Sequence, residues 1–406
     1  MAAGGIFHYN DRMITTRRLL SAAAALAAML SLLACATTGA PAAASPDSSA
    51  ATLTDNALGE SSISLVFAGD IMAHKPNYQI TDFDRIWRDI APLVSRGELS
   101  FANIEAPVAD SIPWSTYPQF NMHSEYVEAA IRAGFNVFSL ANNHTNDQSL
   151  AGMRETKKYF GSRKGIWACG LKDGPGDPLT YQIIEKNGWR VLFVAVTEIL
   201  NSLDSASCID YYPSTEKKRE QLVGELRGLQ ESAGCDLFVV SVHCDEAEYV
   251  LSVTESHRAF YRRIIEECGA DIVWANHPHV VKPFEEVGAS SRHAQEGRKA
   301  LIMYANGNTV SAQRTNPQFT APETARDYTG DGLIVSLRAT KSADGNVTLS
   351  DCEPHLITTY ITPSRQYVVK LLDDGFISAL DRAEVADWAQ YLAERKRIME
   401  KVTGGK

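Results

Sequence analysis

An α/β fold is predicted by three features of the 406-residue sequence. Strand-length runs of β-branched and aromatic residues alternate with segments of helical spacing. The runs look buried. And Asp, Glu, Asn or His follows one run after another, where an α/β sheet opens its ligand crevice, beyond the carboxyl ends of its strands.

The elements follow in order. Residues 63–68 form a strand-like run ending at Gly69-Asp70, and residues 86–94 have helical spacing. Residues 99–102 read as a short strand ending near Asn103 and Glu105. A helix over 125–133, closed by Gly134, leads to a strand over 136–140 and at once to Asn142-Asn143-His144. Strands over 191–196 and 237–242 follow, the second ending at His243. A helix over 257–268 passes through Gly269 into a strand over 271–275, then Asn276-His277-Pro278-His279. The strand over 301–305 ends at Asn306-Gly307-Asn308. Beyond residue 336, β-like alternation over 346–362 precedes a charged helix over 383–402, with apolar spacing at Val385, Trp388, Leu392 and Ile398. Residues 339–406 are read as a β/helix appendage packed on the domain, a partner-binding helix being the alternative.

Composition narrows the function classes. With 45% hydrophobic and 22% charged residues, neither disorder nor a collagen-like chain fits. A net charge of −10 (39 basic, 49 acidic) argues against a nucleic-acid partner. The only long apolar run is N-terminal, which excludes a multi-span membrane protein.

That run has the character of an address. Arg17 and Arg18 precede an apolar stretch over 19–33 that ends in Leu32-Leu33-Ala34-Cys35, which looks like the lipobox of bacterial lipoproteins. Residues 1–34 are then a signal peptide, with Met13 a tidier start than Met1, and Cys35 is the lipidated mature terminus. An ordinary secretory signal with a chance cysteine is the alternative. Residues 35–60, rich in Ala, Thr, Ser and Pro, read as a flexible tether. The expected location is outside the cytoplasm, lipid-anchored to a membrane of the cell envelope. Six further cysteines permit disulfides there without fixing a pairing, buried free thiols being the alternative.

The strand-end residues suggest chemistry. Asp70, Glu105, Asn143, His243, His277 and His279 combine carboxylate, amide and imidazole donors suited to one or two divalent transition metals, Mn, Fe or Zn. They suffice for two ions sharing a carboxylate, an arrangement suited to hydrolysing a phosphoester or similar anionic linkage. His144, beside a ligand, would act on the substrate as a proton donor or charge stabiliser. Taken singly, each has a plainer reading: Asp70 a turn residue, Glu105 a surface carboxylate, Asn142 and Asn143 turn formers, His243 a satisfied core histidine. His277-Pro278-His279 is more specific, because proline stiffens the turn between two imidazoles.

The series Gly69-Asp70-Ile71-Met72, Asn103-Ile104-Glu105-Ala106-Pro107, Ala141-Asn142-Asn143-His144 with Asp147, His243, His277-Pro278-His279-Val280 and Gly307-Asn308 resembles the bacterial capsule-synthesis CapA family. That family includes the poly-γ-glutamate biosynthesis proteins and is related to calcineurin-like metallophosphoesterases. The resemblance covers residues 63–336 and implies a four-layer α/β/β/α sandwich, placed here at 61–338, with its site at the strand ends. It also implies membrane-associated work in making, exporting or anchoring an anionic polymer beside membrane-bound synthase subunits. The alternative is a non-catalytic component of such a complex. His74, Asn103, Asp147, Glu248 and Asn308 are further site candidates. The chain departs from the pattern at Met72, where Asp-x-His has its histidine, and in having one extra residue between His243 and Glu248. It departs again at Asn276, where glycine is usual, and at Thr309, where an aromatic is usual. An acidic chain meeting an anionic polymer would draw on the metals and on local cations such as Lys282.

Overall fold

A computed structural model describes residues 60–290 and 297–404. The signal, Cys35 and nearly all of the tether lie outside the described residues. The chain begins with β1 (Ser61–Ile71), α1 (Lys75–Tyr78), α2 (Asp84–Trp87), α3 (Ala91–Val94), β2 (Leu99–Ile104), α4 (Ser124–Arg132), β3 (Val137–Ser139), α5 (Ser149–Gly161) and β4 (Trp167–Cys169). It continues through β5 (Gln182–Lys186), β6 (Trp189–Thr197), α6 (Glu216–Ala233), β7 (Leu237–His243), α7 (Glu255–Cys268), β8 (Ile272–Asn276), β9 (Phe284–Gly288) and β10 (Lys299–Met303). Last come β11 (Asn308–Val310), α8 (Ala325–Tyr328), β12 (Asp331–Lys341), β13 (Val347–Ile361), β14 (Tyr367–Leu371), α9 (Asp374–Arg382) and α10 (Ala386–Val402).

These strands build two sheets. One has the order β14-β13-β12-β1-β2-β3-β4, with β11 also paired to β1; the other runs β5-β6-β7-β8-β10-β9. Alternation along the strands explains the layering. Leu65 and Phe67 of β1 enter the core between the sheets, while Val66 and Ala68 face the layer of α2 to α5. Likewise Val239 of β7 points between the sheets, and Val240 and Val242 point to α6 and α7. Both faces of each central strand are therefore covered, giving α/β/β/α. Phe67 stacks on Phe101 at 4.4 Å between ring centres, and the Trp274 indole donates to the Ala68 carbonyl at 2.8 Å. That bond ties β8 to β1 just below the strand ends.

The helical stretch expected over 86–94 is two short helices. Pro92 in the first turn of α3 has no N–H for a continuing helix and is well placed where a new one starts. The C-terminal β/helix segment is present, but the boundary expected at residue 338 falls inside β12, which pairs antiparallel with β1 from Ser61 to Phe67. β13 and β14 extend that sheet. The long helix starts at Ala386, after a left-handed turn at Glu384 that separates it from α9. Among the described residues, no helix is long and apolar enough to cross a membrane, and Cys169, Cys208, Cys235, Cys244 and Cys352 are free thiols.

Candidate metal centre

Parallel register brings the polar strand ends together. Asp70 sits opposite Asn103 on one side and Asn308 on the other. In the second sheet His243 sits opposite Asn276, so the His277-Pro278-His279 turn begins level with it. β1 and β11 also approach unusually closely here: a Cβ on Gly69 would lie 1.9 Å from the Gly307 carbonyl oxygen. Only glycine fits, and the approach lets Asp70 N donate to that carbonyl at 3.0 Å. Thr309, the departure from the usual aromatic, accepts the Gly69 N–H on its hydroxyl at 2.8 Å.

Two groups of ligand atoms result, Asp70 with Glu105 and His279, and Glu105 with His243 and His277. Within each, the atoms lie within 4.8 Å of one another. Glu105 belongs to both. His243 Nε2 is 2.9 Å from Asn143 Oδ1, 3.2 Å from His277 Nδ1 and 3.9 Å from Glu105 Oε1. One imidazole nitrogen carries at most one hydrogen, so these lone pairs converge with too few protons to satisfy them. Around the other group, His279 Nδ1 is 3.4 Å from Asp70 Oδ2, and its Nε2 is 3.6 Å from Glu105 Oε1. Asp70 Oδ2 and Glu105 Oε1 are buried without any hydrogen-bond partner. Such orphans are costly unless a cation meets them.

The protonation tendencies agree. Burial, then the Asp70 and Glu248 carboxylates, push the Glu105 carboxyl well above its ordinary range. Burial, then His277 and His279, push His243 well below its own. Burial and His279 bring His277 down to about 4. Burial thus disfavours a charged carboxylate and a charged imidazole alike, the cluster is rich in lone pairs, and its donor set fits one or two divalent metals. His277 and His279 have φ of 106° and 56°, left-handed values that non-glycine residues rarely adopt. The turn holds both imidazoles inward at the cost of that strain.

The remaining candidates surround these groups. Asn103 Nδ2 donates to Asp70 Oδ1 at 2.8 Å, and its Oδ1 accepts from Asn142, so Asn103 aims the carboxylate. Asn308 Oδ1 faces His279 Nδ1 at 3.1 Å, which leaves Nε2 turned toward Glu105. Asp147 is outside both groups. Its Oδ2 meets His144 Nδ1 at 2.7 Å and accepts the Phe120 N–H at 2.7 Å. His74 does not replace the histidine missing at Met72. Its Nδ1 accepts the Ala312 N–H at 3.3 Å, its ring packs edge-on to Phe120, and burial with the charges of His279, His144 and Arg326 lowers it to about 3. Glu248 is an exposed carboxylate that faces the cluster. Partial burial would raise it, but the Tyr249 hydroxyl and the imidazoles of His279, His277 and His144 outweigh that and hold it below its ordinary value. Lys282, expected to be a free cation, is 1% exposed and paired with Glu246. Asn201 was not singled out from sequence. It follows the end of β6, and its Nδ2 lies 3.2 Å from His144 Nδ1 while its Oδ1 takes Asn143 Nδ2 at 3.3 Å. The strand-end rule would have picked Glu198 directly after β6 instead, and Asn201 lies beyond its reach.

The bacterial capsule synthesis protein PGA_cap family model matches residues 64–313, more than half of the chain. The chain belongs to this family. It is 26% identical over 263 residues to the capsule biosynthesis protein CapA of Bacillus anthracis, covering 62% of this chain and 60% of that protein. It is 24% identical over 273 residues to the PGA biosynthesis protein CapA of Bacillus subtilis (strain 168), covering 64% and 65%. The chain thus spans less than two thirds of these curated relatives. Among solved structures, a phosphatase from Mycoplasma pneumoniae is similar over 73% of this chain and 94% of that one, at 14% identity and a TM-score of 0.43.

Proposed function

We infer that this member of the capsule-synthesis family is a metal-dependent hydrolase of phosphoester-type linkages, held at the cell envelope by a lipid on Cys35 and serving capsule or poly-γ-glutamate biosynthesis. The observation that carries the hydrolase reading is Glu105, a buried carboxylate common to two ligand groups and holding an unpartnered oxygen. Asp70, Glu105 and His279 would hold one divalent ion, and Glu105, Asn143, His243 and His277 the other. Two ions so placed supply an activated water and a clamp on the oxygens of the reacting group.

The protein's own residues supply the rest. Asp147 holds His144 by Nδ1, which fixes the orientation of the ring as the triad carboxylate does for its histidine. His144 Nε2 would give its proton to the leaving oxygen as the phosphorus–oxygen bond breaks. The net reaction consumes one water. The edge-on Phe120 ring, 4.8 Å from His144, restricts the rotation of the imidazole. The test is elemental analysis of the purified protein paired with a phosphodiesterase and phosphomonoesterase screen. Stoichiometric transition metal with metal-dependent turnover is expected. Metal without turnover on any anionic ester would favour the non-catalytic role in a synthase or export complex, and no metal would remove both the site and the hydrolase. For the anchor, Cys35→Ser should release the protein from membranes or leave it unprocessed. Unchanged fractionation and mature size would rule out the lipobox.

A further inference from the structure

The chain is acidic, and the lysine expected to draw in an anionic substrate is buried in an ion pair. Another cation stands at the ligand shell. Arg326, on the single turn α8, is exposed, yet among the described residues it has no carboxylate partner. Its Nη1 donates to the Tyr249 hydroxyl at 3.2 Å, and its guanidinium lies over the Tyr249 ring at 4.6 Å from the ring centre. The same ring lies nearly parallel to His279, 6.3 Å away between centres. Tyr249 has a left-handed φ of 65°, and its N–H donates to the Pro278 carbonyl at 2.9 Å, which fastens the tyrosine to the ligand turn itself.

The base of Arg326 is as fixed as its tip is exposed. Its neighbour Asp327 accepts from Tyr391 of α10 at 2.7 Å, from Gln318 N at 3.0 Å and from Thr324 Oγ1 at 2.6 Å. Three residues on, the Thr329 carbonyl accepts from Asn308 Nδ2 at 2.9 Å, and Asn308 is the residue that aims His279. The charge is felt inside, since Arg326 helps to depress His74. Some arginines of this surface close on carboxylates, as Arg132 does on Asp84 and Arg263 on Glu267, but Arg326 closes on a tyrosine fastened to the ligand turn. Here a guanidinium with a planar fork of donors is held in place with no carboxylate in direct contact among the described residues, Glu248 being reached only through the Tyr249 hydroxyl.

We propose that Arg326 receives an anionic oxygen group of the substrate beside the metal ligands, on the far side from the Tyr249 hydroxyl that braces it. This makes the site selective for substrates with carboxylate or phosphate oxygens next to the reacting bond. The proposal rests on the two-ion reading of the site, and the measurements keep the two apart. Elemental analysis reports the ions, and equilibrium binding of inorganic phosphate and of glutarate to the metal-loaded full-length protein reports the arm. Arg326→Ala should keep wild-type metal content and melting temperature while losing about tenfold or more in affinity for at least one of the two anions, as expected for a charge-assisted hydrogen bond. Arg326→Lys should recover part of that loss, because the charge returns without the fork. A loss for phosphate alone points to a phosphoester, and a loss for glutarate points to a polymer bearing free carboxylates. Equal affinities in wild type and Arg326→Ala, or no binding of either anion by metal-loaded wild type, would overturn the proposal. Wild type without metal would overturn the underlying reading instead.

Discussion

Two clusters of carboxylates and imidazoles adjoin each other in this protein, the first buried and the second buried but for the partly exposed Asp245, and they have opposite character. The first is the set Asp70, Glu105, His243, His277 and His279. The second begins one backbone hydrogen bond away, where Glu198 N donates to the His243 carbonyl, and contains Glu198, Asp245, Glu246 and His257. By spacing alone both could hold an ion: Glu198, Asp245 and His257 also bring ligand atoms within 4.8 Å of one another. Their surroundings separate them. Glu198 Oε1 accepts from Arg219 Nε at 2.9 Å, and its Oε2 faces His257 Nε2 at 2.9 Å. The same His257 nitrogen lies 2.9 Å from Asp245 Oδ1, and Lys282 closes on Glu246. Burial would lower His257, but Asp245 and Glu198 outweigh it and raise it to about 9. Three carboxylates therefore meet Arg219, Lys282 and a protonated His257, and the charges cancel from within. The first cluster has no such internal cation. A buried acidic cluster is a metal site when the protein leaves its charge unbalanced, and a structural brace when it does not.

The largest test of this contrast is Glu105→Gln. Losing the shared carboxylate should cost more than ~100-fold in metal affinity, beyond the effect typical of an outer-shell partner, and should empty both positions. The metal-free variant should melt no lower than metal-free wild type, since a poorly satisfied buried acid is gone. His279→Ala should remove one equivalent and leave the other. Full occupancy in both variants by elemental analysis would end the distinction. His144→Ala should keep its metal and lose ~10²–10⁴ in turnover, the usual range for a positioned proton donor. If it loses metal, His144 is a ligand; with full activity it is structural.

Arg219→Ala attacks the balanced cluster. It strips a buried guanidinium from Glu198 and should destabilise the fold by about 3–5 kcal/mol in denaturant unfolding while leaving metal stoichiometry unchanged. A neutral effect on stability, or lost metal, would mean that the two clusters are one unit. The smallest effect is a pH slope. Because the folded His257 value of about 9 exceeds the ordinary 6.5, its contribution is complete below about pH 6.5 and is lost as pH rises through 9. The contribution is on the order of 3 kcal/mol. His257→Asn should flatten that part of the stability curve, measured on the metal-free protein, and an unchanged slope would show that His257 is neutral in the fold.

Much of this was legible in the chain, and the reason is local. Strands buried on both faces read as continuous apolar runs, and a polar residue directly after one has to sit at a sheet edge, so Asp70, Asn143, His243 and His277 could be placed without coordinates. Helices α4 and α7 were readable for the same local reasons, amphipathic spacing and a glycine after the last turn. What one-dimensional reading could not supply was pairing. Lys282 looks like a free cation until its partner Glu246, 36 residues away, is seen beside it. Arg395 lies on the apolar stripe between Leu392 and Ile398, and only the fold shows the carboxylate of Asp331 that lets it be wholly buried there. His74 lies two positions past the expected ligand slot but turns to Ala312 instead, and Arg326 has no motif around it at all. Sequence determined the α/β alternation and which ligand types stand at its strand ends, because strand period and strand termination act over a few residues, while the two-sheet sandwich was implied by the family resemblance. Tertiary structure alone decided which buried charges are cancelled and which are left for a metal, because cancellation depends on partners that sequence distance does not reveal.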